Sequence, residues 1–457
     1  MRTILSRNHA SGAALTSYAA LITPVAFVNL PLGIALPSFY VSNAAVSLSG
    51  LGAVILAARI FDAFTDPLVG YLSDRTRTKI GPRKPWIIAG TLIAVVALLF
   101  LFNPGPASGI VYFAAFSFLF YIGFTCIDIP HKAWGVELAR DGQQRARVSS
   151  YVTLFTVIGS LVFWIMPIAL SAVTGTTAIT RDTFFVISVM FACILPLLVL
   201  TAVLRAPAGE RLSAEVPGAA GLLSSLVANG PARYFYLVYG LWLVGNGVFT
   251  ATLYVFMSQY MHLEAQFPFL MLAYFSVQIM MVPVWLRLVY RFGKKRCWAV
   301  SWIAPSLLNI SVLFIEPGAS AFVPAMLLVV FSGAAATGAL LMPMAVLGDV
   351  IDYGTLKTGV NRSASYFAFS NILTKTGLAL GFGLGFPLLE LFGFRWGEPV
   401  LGSAKTGLFI VYLGVPGLLS VLAGLLVLGF PIDEGRQRII VRRLEQRGHR
   451  RLAGKGV

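Results

Sequence analysis

Twelve apolar runs punctuate the chain, near 13–40, 45–72, 86–103, 109–134, 149–173, 184–204, 233–259, 267–290, 298–315, 321–346, 364–390 and 406–430. About 20 apolar residues in a helix cross the hydrocarbon layer of a bilayer. A crossing segment must satisfy its own backbone amides, so each run is read as a helix. No soluble core can absorb the surplus. Of 457 residues, 58% are hydrophobic and 11% charged, against about 45–50% and about 25% in soluble domains. The same figures exclude disorder, a disulfide scaffold and a collagen-like rod. The fold class is an all-α membrane protein with twelve transmembrane helices. The run at 13–40 is too long for a cleavable leader and counts as the first span. Cys126, Cys193 and Cys297 lie in or beside apolar runs without a C-x-x-C pattern, implying neither disulfide nor metal.

The formal charge of +16 is spread over the connections, so no basic domain exists to grip nucleic acid. Alternate loops and both termini hold 27 Lys and Arg, whereas the opposite loops hold Arg181, Arg395 and Lys405. That asymmetry places both termini in the cytoplasm and sets the basic tail, Arg436 to Lys455, beside the inner leaflet. An internal repeat accompanies it. Gly81-Pro-Arg-Lys-Pro-Trp86 matches Gly293-Lys-Lys-Arg-Cys-Trp298 at an offset of 212. Pro130 and Gly135, followed by Arg147-Val-Ser-Ser-Tyr151, match Pro343 and Gly348, followed by Arg362-Ser-Ala-Ser-Tyr366, at 213 and 215. One period implies two parallel six-helix halves. The expected boundaries are 1–204, a cytoplasmic linker 205–232, 233–430 and a basic tail 431–457. This is the major facilitator architecture. Arg75, Arg77, Lys79, Arg83 and Lys84 after Asp74 resemble that superfamily's loop motif, a conformational latch in which basic residues pair with Asp74.

Ionisable groups within spans cost several kcal/mol and mark pathways by default. The second span holds Arg59, Asp62 and Asp66, the fourth Asp128 and Lys132, the eleventh Lys375. Counting ~1.5 Å per residue from Asp74, Arg140 and Arg362 puts Asp62, Asp128 and Lys375 about 18–20 Å above the inner helix ends. Asp62 and Asp66 are four apart and share a helix face. Two such carboxylates need a cation or a shared proton in a low-dielectric site, and Thr65 and Thr125 offer further oxygens. The alternative is an ion-pair network, Arg59 with Asp62 and Asp128 with Lys132.

Arg59-Ile-Phe-Asp-Ala-Phe-Thr-Asp-Pro67 with the Gly81–Trp86 motif resembles the glycoside–pentoside–hexuronide:cation symporter family. So do Thr125-Cys-Ile-Asp-Ile-Pro130 and Asp349-Val-Ile-Asp-Tyr-Gly354, the latter expected in the loop before the eleventh span. The resemblance implies that Asp62, Asp66, Thr65 and Thr125 hold the coupling cation, Na+ or H+, with Asp62 and Asp66 as the Na+ carboxylates. It implies a sugar-binding role for Asp128 and a lysine at 375 linking both halves of the site. Arg59, Asp74, Arg75, Arg83, Asp349, Asp352 and Arg362 fall to structural or gating roles. Departures concern the sugar. No acidic residue precedes Asp62, Thr153 stands where the type member melibiose permease has a sugar-binding arginine, and Lys132 replaces a tryptophan.

These readings converge on a monomeric, cation-coupled symporter of a bacterial-type inner membrane, without cofactor or covalent chemistry, working by alternating access. A glycoside or hexuronide is the expected solute. The alternative is an anionic amphiphile, because the vertebrate lysophospholipid symporter of this family keeps a similar cation motif. Asp128 lies between Lys132 and Lys375 in this reading, and the surplus ammonium calls for an anionic group on the solute.

Overall fold

The computed structural model describes residues 11–44, 46–105, 108–139, 142–208, 229–360 and 362–453. Arg140, most of the expected linker 205–232, residues 1–10 and the tail residues 454–457 lie outside the described residues. Eleven helices are long and apolar enough to cross a membrane, and a bent pair, Phe267–Met280 with Val282–Phe292, makes a twelfth span. In chain order the first six are Gly12–Ile34, Leu48–Arg75, Lys84–Phe102, Ile110–Glu137, Arg147–Thr174 and Arg181–Arg205. Span 7 is Gly230–Tyr260, span 8 the bent pair, and spans 9 to 12 are Lys294–Phe314, Ala319–Thr358, Ser365–Leu391 and Gly402–Leu428. A further helix, Glu434–Ala453, forms the tail.

Departures from the expected spans have local causes. The run 13–40 is three helices, Gly12–Ala20, Ile22–Ile34 and Leu36–Ala44. Pro24 and Pro37 lack the amides that would bond the carbonyls of Ala20 and Gly33, and the breaks fall beside those carbonyls. Pro283 does the same at span 8, where the pair bends by 49°. Asp349 and Asp352 do not lie in a loop. Helix Phe322–Thr358 carries both and ends at Gly359, whose φ of 75° is left-handed. Its 37 residues extend roughly 55 Å at ~1.5 Å each, so its last turns outrun the bilayer and can carry charge.

The chain divides into two compact units, one holding spans 1–6 with Glu264–Pro268 and the other holding the rest. The same packing partners recur in each. Span 1 packs on span 5, span 3 on spans 4 and 6; correspondingly span 7 packs on span 11, span 9 on spans 10 and 12. Lipid offers little hydrophobic drive between helices, so close backbone approach at small residues holds them. A Cβ on Gly381 would sit 2.1 Å from the Gly247 carbonyl carbon, and one on Gly247 would sit 2.6 Å from the Leu378 oxygen. Gly348 has open space around it. Gly381→Ala should therefore lower stability by ~1–3 kcal/mol, read as a fall in melting temperature of the purified protein. Gly348→Ala should leave it unchanged or slightly raised; equal falls would contradict this packing.

Candidate functional site

The centre of span 2 is occupied by charge. Asp62 lies 13 residues before Arg75, ~20 Å above that end, and is fully buried at 0% exposure. Arg59 Nη1 donates to Asp62 Oδ2 at 3.1 Å. The guanidinium also lies over the Tyr121 ring of span 4, 4.4 Å from its centroid. This ion pair is the alternative that the spacing left open, and it forms. Asp66, one turn further, accepts from the Thr125 hydroxyl at 3.1 Å, so spans 2 and 4 meet at its carboxylate. Thr65 turns its hydroxyl back onto the Phe61 carbonyl at 3.3 Å. Its lone pairs stay available to a cation.

Two prolines enrich this neighbourhood in acceptors. Pro67 cannot donate to the Ala63 carbonyl, nor Pro130 to that of Cys126. Residues 63 and 126 adjoin Asp62 and Thr125, so carboxylate, hydroxyl and carbonyl oxygens gather on two helices. Sequence reasoning missed these carbonyls and Tyr121; the prolines, each four residues downstream, were the available signal for the carbonyls. Arg59, Asp62 and Asp66 sum to a formal charge of −1. No group of three or more His, Cys, Asp or Glu that could hold a metal ion exists among the described residues.

Lower in span 4, Lys132 Nζ bonds Asp128 Oδ2 at 2.7 Å. The Lys132 side chain is 60% exposed and that of Asp128 only 8%, as expected of a lysine that buries its stem and turns its head outward. Asp128 lies nine residues before Glu137, ~14 Å from that end, lower than its sequence estimate because span 4 ends at Glu137. Behind it, His131 stacks on Tyr18 at 4.3 Å, while the Tyr18 hydroxyl donates to the His131 carbonyl at 2.9 Å. Thr153 is exposed on span 5, and Lys375 half-buried on span 11.

Near the ends of the spans that adjoin the Gly81–Trp86 and Gly293–Trp298 motifs, each unit carries a salt bridge. Arg83 is buried and pairs with Asp74 and with Glu137 Oε1, the latter at 2.7 Å, and its Nη1 donates to Ser73 Oγ at 2.8 Å. Lys84 donates to the carbonyls of Val203 and Ala206 at 2.8 and 2.7 Å, closing the end of span 6. Arg75 lies over the Tyr71 ring instead. In the other unit Lys294 Nζ bonds both Asp349 oxygens at 2.7 and 2.9 Å. Asp352 accepts from Gln437 of the tail at 2.8 Å, and the Arg362 carbonyl begins the hydrogen bonding of span 11. Glu434 accepts from the Lys294 amide at 2.9 Å. The Arg436 amide, bonded to the Asp433 side chain, holds that carboxyl below the usual carboxylate range. Glu137 was not anticipated. The repeat offset of 213 for this span carries 137 to position 350, beside Asp349, and was the signal that could have found it.

Residues 17–434 match the family described as MFS/sugar transport protein. The chain belongs to that family. It is a transporter, not an enzyme. It is 24% identical to an uncharacterized symporter, sll1374, of Synechocystis, over 90% of this chain and 92% of that protein. It is 25% identical to the sodium-dependent lysophosphatidylcholine symporter 1 of Gallus gallus, over 95% and 89% respectively. Among solved structures, a mutant of the nucleoside transporter NupG superposes with a TM-score of 0.69 at 14% identity, over 90% of this chain and 98% of that one. The fold is thus the major facilitator fold, and the family resemblance read from the second-span and fourth-span motifs agrees with it.

The transporter's two bridges to Arg83 differ in burial, the Glu137 side chain being 6% exposed and that of Asp74 51%. Glu137→Gln should cost about 3 kcal/mol, as removal of a buried partner does, whereas Asp74→Asn should cost under ~1 kcal/mol. Melting temperatures of the two variants check this; the reverse ranking would show that Glu137 does not hold Arg83.

Proposed function

We propose that this transporter is a cation-coupled symporter of a cytoplasmic membrane, with both termini inside. Its coupling ion, Na+ in preference to H+, would be held by Asp66, Asp62, Thr65 and Thr125. One observation carries the reading. Among the described residues, two mid-span carboxylates on one face of span 2 stand with the Arg59 guanidinium, the Thr125 hydroxyl and two proline-freed carbonyls. Charge at that depth marks a pathway, and those oxygens would hold a travelling cation in one half of the cycle. Hydroxyl and carbonyl oxygens add to a sodium site but are surplus to a proton site, which favours Na+. The sodium-dependent lysophosphatidylcholine symporters among the relatives support the same ion. Alternating access between the two halves would move ion and solute together, with Arg83–Glu137 and Lys294–Asp349 as the bridges that open and close at the cytoplasmic ends.

For the solute we propose a glycoside-type molecule with an acidic group. Span 4 carries Lys132 against Asp128 and span 11 carries Lys375, ammonium groups that an acidic group on the solute would engage. The Asp128–Lys132 bond at 2.7 Å engages one carboxylate oxygen and leaves the other for a sugar hydroxyl. A second reading is an anionic or zwitterionic amphiphile, favoured by the likeness to the lysophosphatidylcholine symporter across 95% of the chain.

In proteoliposomes with an imposed sodium gradient, wild type should accumulate labelled methyl glucuronide, or lysophosphatidylcholine on the second reading. Asp66→Asn should abolish accumulation without lowering the melting temperature; accumulation equal to wild type would refute the cation assignment. In the same vesicles a glucuronide should compete at least ~10-fold better than the matched neutral glucoside, a difference of ~1.4 kcal/mol. Lys375→Ala should erase that preference. Tight binding of the neutral sugar alone would restore a plain glycoside as the solute.

A further inference from the structure

A cavity of about 100 Å³ lies wholly within the C-terminal unit, lined by spans 7, 8, 9, 10 and 12. Its origin is legible in the repeat. In the N-terminal unit, spans 3 and 4 touch backbone to backbone: a Cβ on Gly90 would lie 2.7 Å from the Gly123 oxygen, and one on Gly123 would lie 2.6 Å from the Ala94 nitrogen. The repeat offsets of 212 and 213 carry Gly90 onto Trp302 and Gly123 onto Ala336. They also carry Ala94 and Ala97, both buried, onto Ser306 and Asn309. The Trp302 indole packs instead on Trp242 of span 7, and the space beside it is edged by small polar side chains of span 9, Ser301, Ser306 and Asn309.

The walls are made at helix irregularities. Pro305 and Pro416 cannot donate to the carbonyls of Ser301 and Tyr412. Residues Ile410–Gly414 form a π-helical turn, a distortion that recurs at functional sites. Trp242 stacks on Trp302 at 4.9 Å and Phe249 on Tyr412 at 5.2 Å, so aromatic rings form two sides. Between them stand the Asn246 and Asn309 amides and the phenol of Tyr412, a residue only 2% exposed. None of these three polar side chains has a hydrogen-bond partner among the described residues. Polar groups enclosed within a membrane protein are normally bonded to protein or water. Here the complement must come from whatever fills the space.

We propose that this cavity binds a small neutral polyol, through residues that the acidic cluster of span 2 does not use. No carboxylate, amine, guanidinium or imidazole lines it, so a charged occupant would be desolvated without a partner. Apolar aromatic faces with a few fixed donors and acceptors suit a molecule with C–H faces and hydroxyl edges. A space of about 100 Å³ suits a polyol of a few carbons, such as glycerol, rather than a disaccharide.

The test uses the full-length transporter in phosphatidylcholine nanodiscs prepared without glycerol, titrated with glycerol and erythritol while tryptophan emission is followed. Wild type should show a saturable spectral shift, and the glycerate anion should give none. Asn309→Ala, which removes a donor, and Ala336→Leu, which fills the space, should each weaken the response ~10-fold, while Asp66→Asn should leave it unchanged. That last arm separates this site from the coupling reading, since each can fail alone. Should Asn309→Ala not fold, Ala336→Leu decides. A non-saturating response, one equal in wild type and Ala336→Leu, or one equally large with glycerate would overturn the proposal and leave the cavity to ordered water.

Discussion

The Arg59–Asp62 bond, 3.1 Å long in the middle of span 2, is the contact around which the candidate site is organised. Moving a carboxylate from water into a low-dielectric interior costs several kcal/mol even after relaxation. Asp62 meets that cost with a partner one turn away on its own helix, so the charge pair forms as soon as the helix does and is independent of tertiary motion. Tyr121 covers the guanidinium, which ties span 4 to the pair. Asp66 is then the carboxylate on the same face left to a donor from a neighbouring helix, Thr125. In the proposed coupling site Asp62 would be the charge held by Arg59, and Asp66 the one shared with a neighbouring helix. Pro67 and Pro130 leave carbonyls without their helical amide partners beside the acidic groups, inside helices that remain continuous.

The duplicated framework shows which features each half keeps and which it changes. Both units hold a carboxylate in the C-terminal part of the fourth helix of the repeat, Glu137 and Asp349, and both offer it a basic residue from the start of the neighbouring helix. Both pack helices through glycines in near contact. They differ where function would be expected to diverge. Mid-span acidic charge occurs in the N-terminal unit, whereas the C-terminal unit carries Lys375 and trades a glycine–glycine contact for an indole and a polar cavity. A common scaffold with unlike interiors is how one fold serves many solutes.

The twelve runs, the repeat and the acidic face of span 2 were legible because each rests on composition or spacing along one helix. Arg59–Asp62 and Asp128–Lys132 were likewise within reach, being pairs at i, i+3 and i, i+4. What escaped depends on more than one helix or on backbone detail. Thr125 could be named as an oxygen donor, but its bond to Asp66 requires the packing of span 4 on span 2. Asp349 and Asp352 were expected in a loop because charge ended the apolar run; the helix instead continues past the membrane boundary to Gly359, since nothing before that glycine breaks it. Glu137 escaped because a lone acidic residue at a helix end resembles any solvated terminus until Arg83 is found against it.

The central claim is that the Asp62–Asp66 cluster binds one coupling cation. Equilibrium binding of radioactive sodium to the purified transporter, without solute, in wild type and in Asp66→Asn, tests it most directly. A coupling site at these residues predicts saturable binding of one Na+ per chain in wild type and its loss in Asp66→Asn. Binding that does not saturate, or that is equal in the two proteins, would contradict it.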